Sequence, residues 1–252
     1  MISKESILKT YESVKLNWVM WLTYAVAILI VARDDILTGV GTFFGLMGGA
    51  YFVHRFSHLE RNFFTILHHY HHENNNWFAY FSQMLIELLF GVVVAPASYA
   101  GYGMHPSVVV LFVLVYSSVH NVNYGLFKVN SVHSRHHQNI RENIGPDVCD
   151  ILFQTKHGEV ENTLHYVPNI IVASTVAVLF KQNKILEKVN WKVVAGIGIV
   201  LYLLASWYAT AASRESGTIQ KVGFERQRRG QRRAWRRKGS TVRKSRPAPA
   251  RP

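Results

Sequence analysis

Cysteine and evenly spread charge are what this chain has least of. A single cysteine, Cys149, excludes an intrachain disulfide, and its polar setting gives no sign of a nucleophile. The net charge of +13 suggests a polyanion partner until it is located. Residues 214–252 hold 14 Lys and Arg against two Glu, which leaves only +1 for residues 1–213. Basicity is therefore a property of the tail, and nucleic acid is a poor fit for the rest of the chain. A segment rich in Arg, Gln, Gly and Pro cannot bury a core, so residues 214–252 are expected to be disordered and to contact anionic lipid head groups.

Long stretches elsewhere lack charge altogether. Leu16–Ala32, Ile36–Val53, Pro106–Phe127 and Val193–Ser213 carry none, and Trp77–Met104 carries only Glu87. Roughly 18–20 apolar residues match the hydrocarbon thickness of a bilayer, so the chain reads as an all-α integral membrane protein. The first run follows a polar segment and leads into Arg33-Asp-Asp, without a small-residue cleavage site, so it is expected to be retained. Four spans are expected over 16–32, 36–53, 77–104 and 106–127. The last two apolar stretches, within 166–213, are expected to be short or re-entrant, because the Lys-rich 181–192 connection conflicts with the positive-inside rule. Residues 1–213 form the one folded domain.

What the chain does have is histidine. Nine of its 13 histidines fall into His54-x-x-x-His58, His68-x-x-His71-His72, His120 and His133-x-x-His136-His137. On a helix, residues at i, i+3 and i+4 share a stripe, so each box aims its imidazoles one way and reads as half of a metal site. A lone histidine on an apolar helix is usually a hydrogen-bonded core residue, which is the reading for His105. His69 points off the stripe of its box and is set aside. One metal takes about four to six donors, so nine imidazoles suit two ions. Neutral ligands leave those ions strongly cationic, which favours oxygen chemistry over a structural role. With a cytoplasmic N-terminus, counting crossings puts all nine motif histidines on the cytoplasmic face and His105 on the other.

The boxes, with His120-Asn121 and the segment Asn143-Ile-Gly145 to Asp150-Ile-Leu-Phe153-Gln-Thr155, resemble the fatty acid hydroxylase superfamily, the membrane di-iron proteins that include sterol desaturases and lipid hydroxylases. The likeness covers roughly His54 to Thr155. Gln154 stands where that family often has Gly, Cys149 where an aromatic is common, and Tyr124 where some members place a second histidine. The resemblance implies two ferrous ions, with zinc an alternative in purified protein, held by His54, His58, His68, His71, His72, His120, His133, His136 and His137. It also implies oxygen-dependent hydroxylation or desaturation of a lipid C–H bond. His165 is a further candidate ligand, and Asp150 and Asn143 are candidates for orienting a histidine ligand. No segment leaves room for a fused cytochrome b5 domain, so electrons are expected from a separate donor such as cytochrome b5 or ferredoxin with its reductase. The expected home is the endoplasmic reticulum of a eukaryote or the inner membrane of a bacterium. Three other readings are an acyl-lipid desaturase, a histidine-rich metal transporter and a bis-histidine haem protein. A transporter usually sets its ligands near mid-span, whereas these lie at helix ends.

Overall fold

The computed structural model describes residues 3–99 and 103–214. The tail from residue 215, and residues 100–102 near the end of the expected 77–104 span, lie outside the described residues. Among the described residues there is no strand. The helices are α1 (Lys4–Leu16), α2 (Trp18–Val31), α3 (Ile36–Ser57), α4 (Ile66–Glu73), α5 (Trp77–Tyr99), α6 (Pro106–Ser118), α7 (Val132–Gln138), α8 (Asp147–Leu152), α9 (Val167–Gln182), α10 (Ile185–Lys188) and α11 (Trp191–Arg214). A π-helix, Val119–Leu126, continues α6, and a 3-10 turn, Leu164–Tyr166, opens α9. The chain divides into two compact units, Met1–Ser206, which holds every box, and Trp207–Pro252.

Local chemistry sets the helix starts. Ser3 accepts from Ser6 N at 3.0 Å to cap α1, and Asp35 accepts from Thr38 N at 3.1 Å to cap α3. Pro106 occupies the first turn of α6, where its missing N–H costs nothing. Helix α6 with its π extension is the buried axis, packed on α9, α5 and α3, while α2 lies along α9. Val108, Leu111, Phe112 and Val115 meet Ile28, Val31, Phe43, Ile170 and Ala173 in one core. At the α2–α3 hairpin, a Cβ built on Gly39 would stand 2.5 Å from Ala32 Cβ, so the helices approach over a bare backbone.

Four helices are long and apolar enough to cross a membrane: Ile36–Ser57, Pro106–Leu126, Leu164–Gln182 and Trp191–Arg214. Their outer faces expose large side chains, including Leu37, Phe44 and Phe52 on α3, Ile171 and Val172 on α9, and Ile197, Val200 and Leu204 on α11. A soluble monomer rarely leaves such contiguous apolar surface, whereas lipid covers it without cost. Three sequence expectations change. Helix α5, which covers most of the expected 77–104 span, is not among these four. The stretches within 166–213 supply two of the crossing-length helices, because α9 gains a 3-10 turn at its start and α11 extends to Arg214.

The first run does not make one straight span. It breaks at Asn17, with α1 bent 77° from α2, which leaves 14 residues in α2. At 1.5 Å per residue that is about 21 Å, short of the roughly 30 Å core of a bilayer. The cause is Asn17 itself. Its Nδ2 donates to Glu161 O and its Oδ1 accepts from Thr163 N, both at 2.8 Å, so one polar side chain fastens the bend to the segment before α9. Helix α1 then lies on α8, where Ser13 Oγ donates to Asp147 Oδ2 at 2.9 Å. Asn17→Ala leaves the Glu161 carbonyl and the Thr163 amide unpaired in a buried place, a loss of about 2–5 kcal/mol. A lowered thermal midpoint with unchanged helix content is the expected result, checked by circular dichroism in detergent.

Candidate metal centre

Four pieces of backbone converge at one end of the bundle. The last turn and cap of α3 supply His54 and His58, α4 supplies His68, His71 and His72, the π-helix supplies His120, and α7 supplies His133, His136 and His137. Helix α4 packs directly on α5, and the π-helix packs on α5 too. Because a π turn inserts an extra residue, it is a recurring device for placing a side chain at a functional site. Asn123 fixes this one, donating to His165 O at 2.8 Å and to Asn169 Oδ1 at 2.9 Å.

All nine motif histidines come together, in two groups. His54, His58, His72 and His136 present ligand atoms within 4.8 Å of one another, and so do His71, His120 and His133. His68 adjoins the first group, with its Nε2 3.2 Å from His58 Nε2; His137 adjoins the second, with its Nε2 2.9 Å from His133 Nε2. His136 Nε2 lies 3.0 Å from His58 Nε2 and 3.1 Å from His54 Nε2, and His120 Nε2 lies 3.2 Å from His133 Nε2. Two imidazoles bound at about 2.0–2.1 Å to one ion, about 90–110° apart, stand about 2.9–3.4 Å from each other. The observed spacings fit that range.

His54 and His58 fall in one group, so the first box serves one side only, whereas the other two boxes are divided between the groups. His71 belongs to one group and His72 to the other; likewise His136 is separated from His133 and His137. A box at i, i+3, i+4 therefore bridges the two groups along its stripe.

Outer partners orient the rings. His136 Nδ1 lies 2.8 Å from the Glu142 carbonyl, His68 Nδ1 lies 2.9 Å from Gln83 Oε1, and His120 Nδ1 is hydrogen-bonded to Glu87 Oε1. These oxygens only accept, so each Nδ1 carries the hydrogen and each Nε2 turns a lone pair into the cluster. Both nitrogens of His71 and of His72 are buried without a hydrogen-bond partner. A buried polar atom left unpaired is costly, and a metal ion bound here would supply the missing partner. Burial, followed by the neighbouring imidazoles, lowers the pKa of His58 and of His137 to about 4 and that of His136 to about 3. His68, His71, His72 and His133 are driven down by the same causes. At neutral pH these rings are in the uncharged, ligating form.

Two cavities reach the cluster. One, of about 110 Å³, is walled by Met20, Trp21, Tyr24, Phe43 and Met47 and touches His54, His120 and His133. The other, of about 300 Å³, is walled by Val53, Phe56, Phe64, Phe90 and Val113 and touches His54 and His68. His54, Phe112 and Tyr116 line both.

The remaining candidates sit apart. His165 is outside both groups; its ring lies 5.5 Å from that of Tyr124, which in turn stacks at 5.6 Å on His133. Asp150 touches no imidazole. It accepts from Ile144 N at 2.9 Å, Gly145 N at 3.2 Å and Thr155 Oγ1 at 2.7 Å, so its carboxylate pins the loop that follows Glu142, whose carbonyl holds His136. Burial raises the pKa of Asp150 to about 6. Asn143 accepts from His157 N at 3.1 Å and takes a left-handed φ of 50°, which Asn tolerates better than most residues. Gln154, at φ 59°, occupies a backbone state that glycine adopts more readily. His105 pairs with Asp34 at 3.2 Å and His69 with the Leu59 carbonyl at 2.9 Å, and neither belongs to the two groups.

Glu87 and Gln83 touch the cluster yet lie outside the histidine pattern. Their signal was present, since Glu87 is the one charge in the 77–104 run and Gln83 stands one helical turn before it. Comparison with protein-family models, curated proteins and solved structures finds no match to this chain.

Proposed function

We propose that this chain is a multi-pass membrane oxygenase whose histidine cluster holds two iron ions and which hydroxylates or desaturates a lipid C–H bond with dioxygen. The observation that carries the reading is the pair of neighbouring imidazole groups in which both nitrogens of His71 and of His72 are buried without a hydrogen-bond partner. His54, His58, His68, His72 and His136 would hold one ion, and His71, His120, His133 and His137 the other. A pair of redox-active ions bound there supplies activation of dioxygen for attack on an unactivated C–H bond. The chain's own contribution is to place and to protect. The apolar walls of the two cavities bind a hydrocarbon segment beside His54 and keep bulk water from the reacting carbon. Glu87, Gln83 and the Glu142 carbonyl hold three rings in the Nε2-ligating tautomer.

Electrons come from a separate cytochrome b5-type or ferredoxin-type partner docking at the cytoplasmic face, where the boxes gather. The basic composition of residues 214–252 suits contact with anionic lipid head groups. Elemental analysis of the detergent-purified chain is expected to give about two irons per molecule. Lipid extracts of cells expressing it are expected to contain a hydroxylated or newly unsaturated product that a His71→Ala, His72→Ala variant does not form. A folded wild type that binds no transition metal would sink the reading. Metal transport instead of lipid oxidation would favour the transporter reading.

A further inference from the structure

We propose that Glu87 is a positioning residue shared by both metal positions, holding a ligand of one directly and a ligand of the other through Gln83. The inference rests on the dimetal reading above. Glu87 Oε1 accepts from His120 Nδ1–H and, at 2.9 Å, from Gln83 Nε2–H. Its Oε2 accepts from Asn121 Nδ2–H at 2.6 Å. The other end of the Gln83 amide accepts from His68 Nδ1–H at 2.9 Å. A continuous path therefore runs His120–Glu87–Gln83–His68, and its two ends lie in different histidine groups.

Both links in the middle are buried, Glu87 at 7% and Gln83 at 5% exposure. Among the described residues Glu87 is the one carboxylate hydrogen-bonded to any of the nine histidines. A charge placed on an otherwise apolar helix carries a desolvation cost that purely structural packing would avoid. Three donors converging on it offset that cost, and a cationic centre behind His120 offsets it further. A carboxylate on the far nitrogen of a ligating imidazole fixes its tautomer and strengthens it as a donor to the metal. Here one carboxylate does so for His120 while also fixing which way the Gln83 amide faces. A carboxylate accepts only, so the Gln83 NH2 must turn to Glu87 and its oxygen to His68.

The test uses the full chain in detergent, stripped of metal and titrated with Co2+, whose visible absorption reports the ligand field. Wild type is expected to bind about two Co2+ per chain. Glu87→Gln keeps the shape but offers one oxygen to three donors, so whichever way it turns an NH2 faces another donor. Both Co2+ affinities are expected to fall about 10–100-fold, with shifted absorption bands, while helix content holds. Gln83→Leu leaves Glu87 with His120 and is expected to weaken only one of the two; it also carries the test should Glu87→Gln fail to fold. A folded Glu87→Gln with wild-type affinities and spectrum would overturn the shared role and leave the dimetal reading standing, as would Gln83→Leu weakening both positions equally or neither. Wild type that binds no Co2+ would overturn the dimetal reading itself.

Discussion

Alanine at His71 and alanine at His72 are expected to empty different metal positions. Each single variant should fall from about two metals per chain to about one at free metal concentrations roughly tenfold above the wild-type Kd and far below that of the variant, and the double variant should approach none. The reasoning is geometric. His72 lies with His54, His58 and His136, and its ring is 4.9 Å from that of His136. His71 lies with His120 and His133, its ring 5.4 Å from that of His120. Adjacent residues on one short helix thus point about 100° apart and serve separate groups. Losing a direct ligand should cost more than the 10–100-fold typical of an outer partner. Metal analysis after dialysis against metal buffered at that concentration, with spectra of Co2+-loaded samples, separates the two positions. If either single variant loses both metals together, the groups form one site and the split is wrong. Product formation should vanish in both singles, because the proposed chemistry needs the pair of ions.

The sequence carries the helices and the convergence of the histidines, but it hides how they are joined. Uncharged runs report helices because a bilayer admits little else, and i, i+3, i+4 spacing reports convergence because a helix fixes direction. Bridging between groups is invisible in the spacing, since a stripe wide enough to face one ion also spans two. The bend at Asn17 is missed because one Asn barely lowers the hydropathy of an apolar run, and its effect depends on Glu161 and Thr163, far along the chain. The π-helix at Val119–Leu126 has no composition of its own. Glu87 reads as a flaw in a span until its partners on other turns and helices are known. Asp150 illustrates the opposite error, where a carboxylate near a box suggests an imidazole partner while backbone amides and Thr155 occupy it.

Acid should unfold the metal-free protein well above the pH at which carboxylates alone would titrate. His58, His136 and His137 have pKa values lowered to about 4, 3 and 4 from an ordinary 6.5, and His68, His71, His72 and His133 lie lower than ordinary too. Between pH 6.5 and about 4 the unfolded chain takes up protons at these positions while the folded chain does not, so the stability they contribute is present above 6.5 and lost as pH falls. Each such group adds a slope of about 1.4 kcal/mol per pH unit within its window. Asp150, raised to about 6, and Glu161, also raised by burial, act the other way, since the folded state binds their protons first on acidification. Two carboxyls against seven imidazoles leave the histidines in control, and a net stability of about 5–15 kcal/mol is exhausted within one or two pH units. The thermal midpoint of the stripped protein in detergent is therefore expected to drop steeply from pH 7 to pH 5, and saturating metal to raise it at every pH by occupying the neutral rings. Replacing His58 and His137 together by Gln, which cannot titrate, should flatten the slope. A midpoint independent of pH in the stripped wild type would show that these imidazoles are hydrated in the absence of metal, and that the cluster is assembled by the ions and not by the fold.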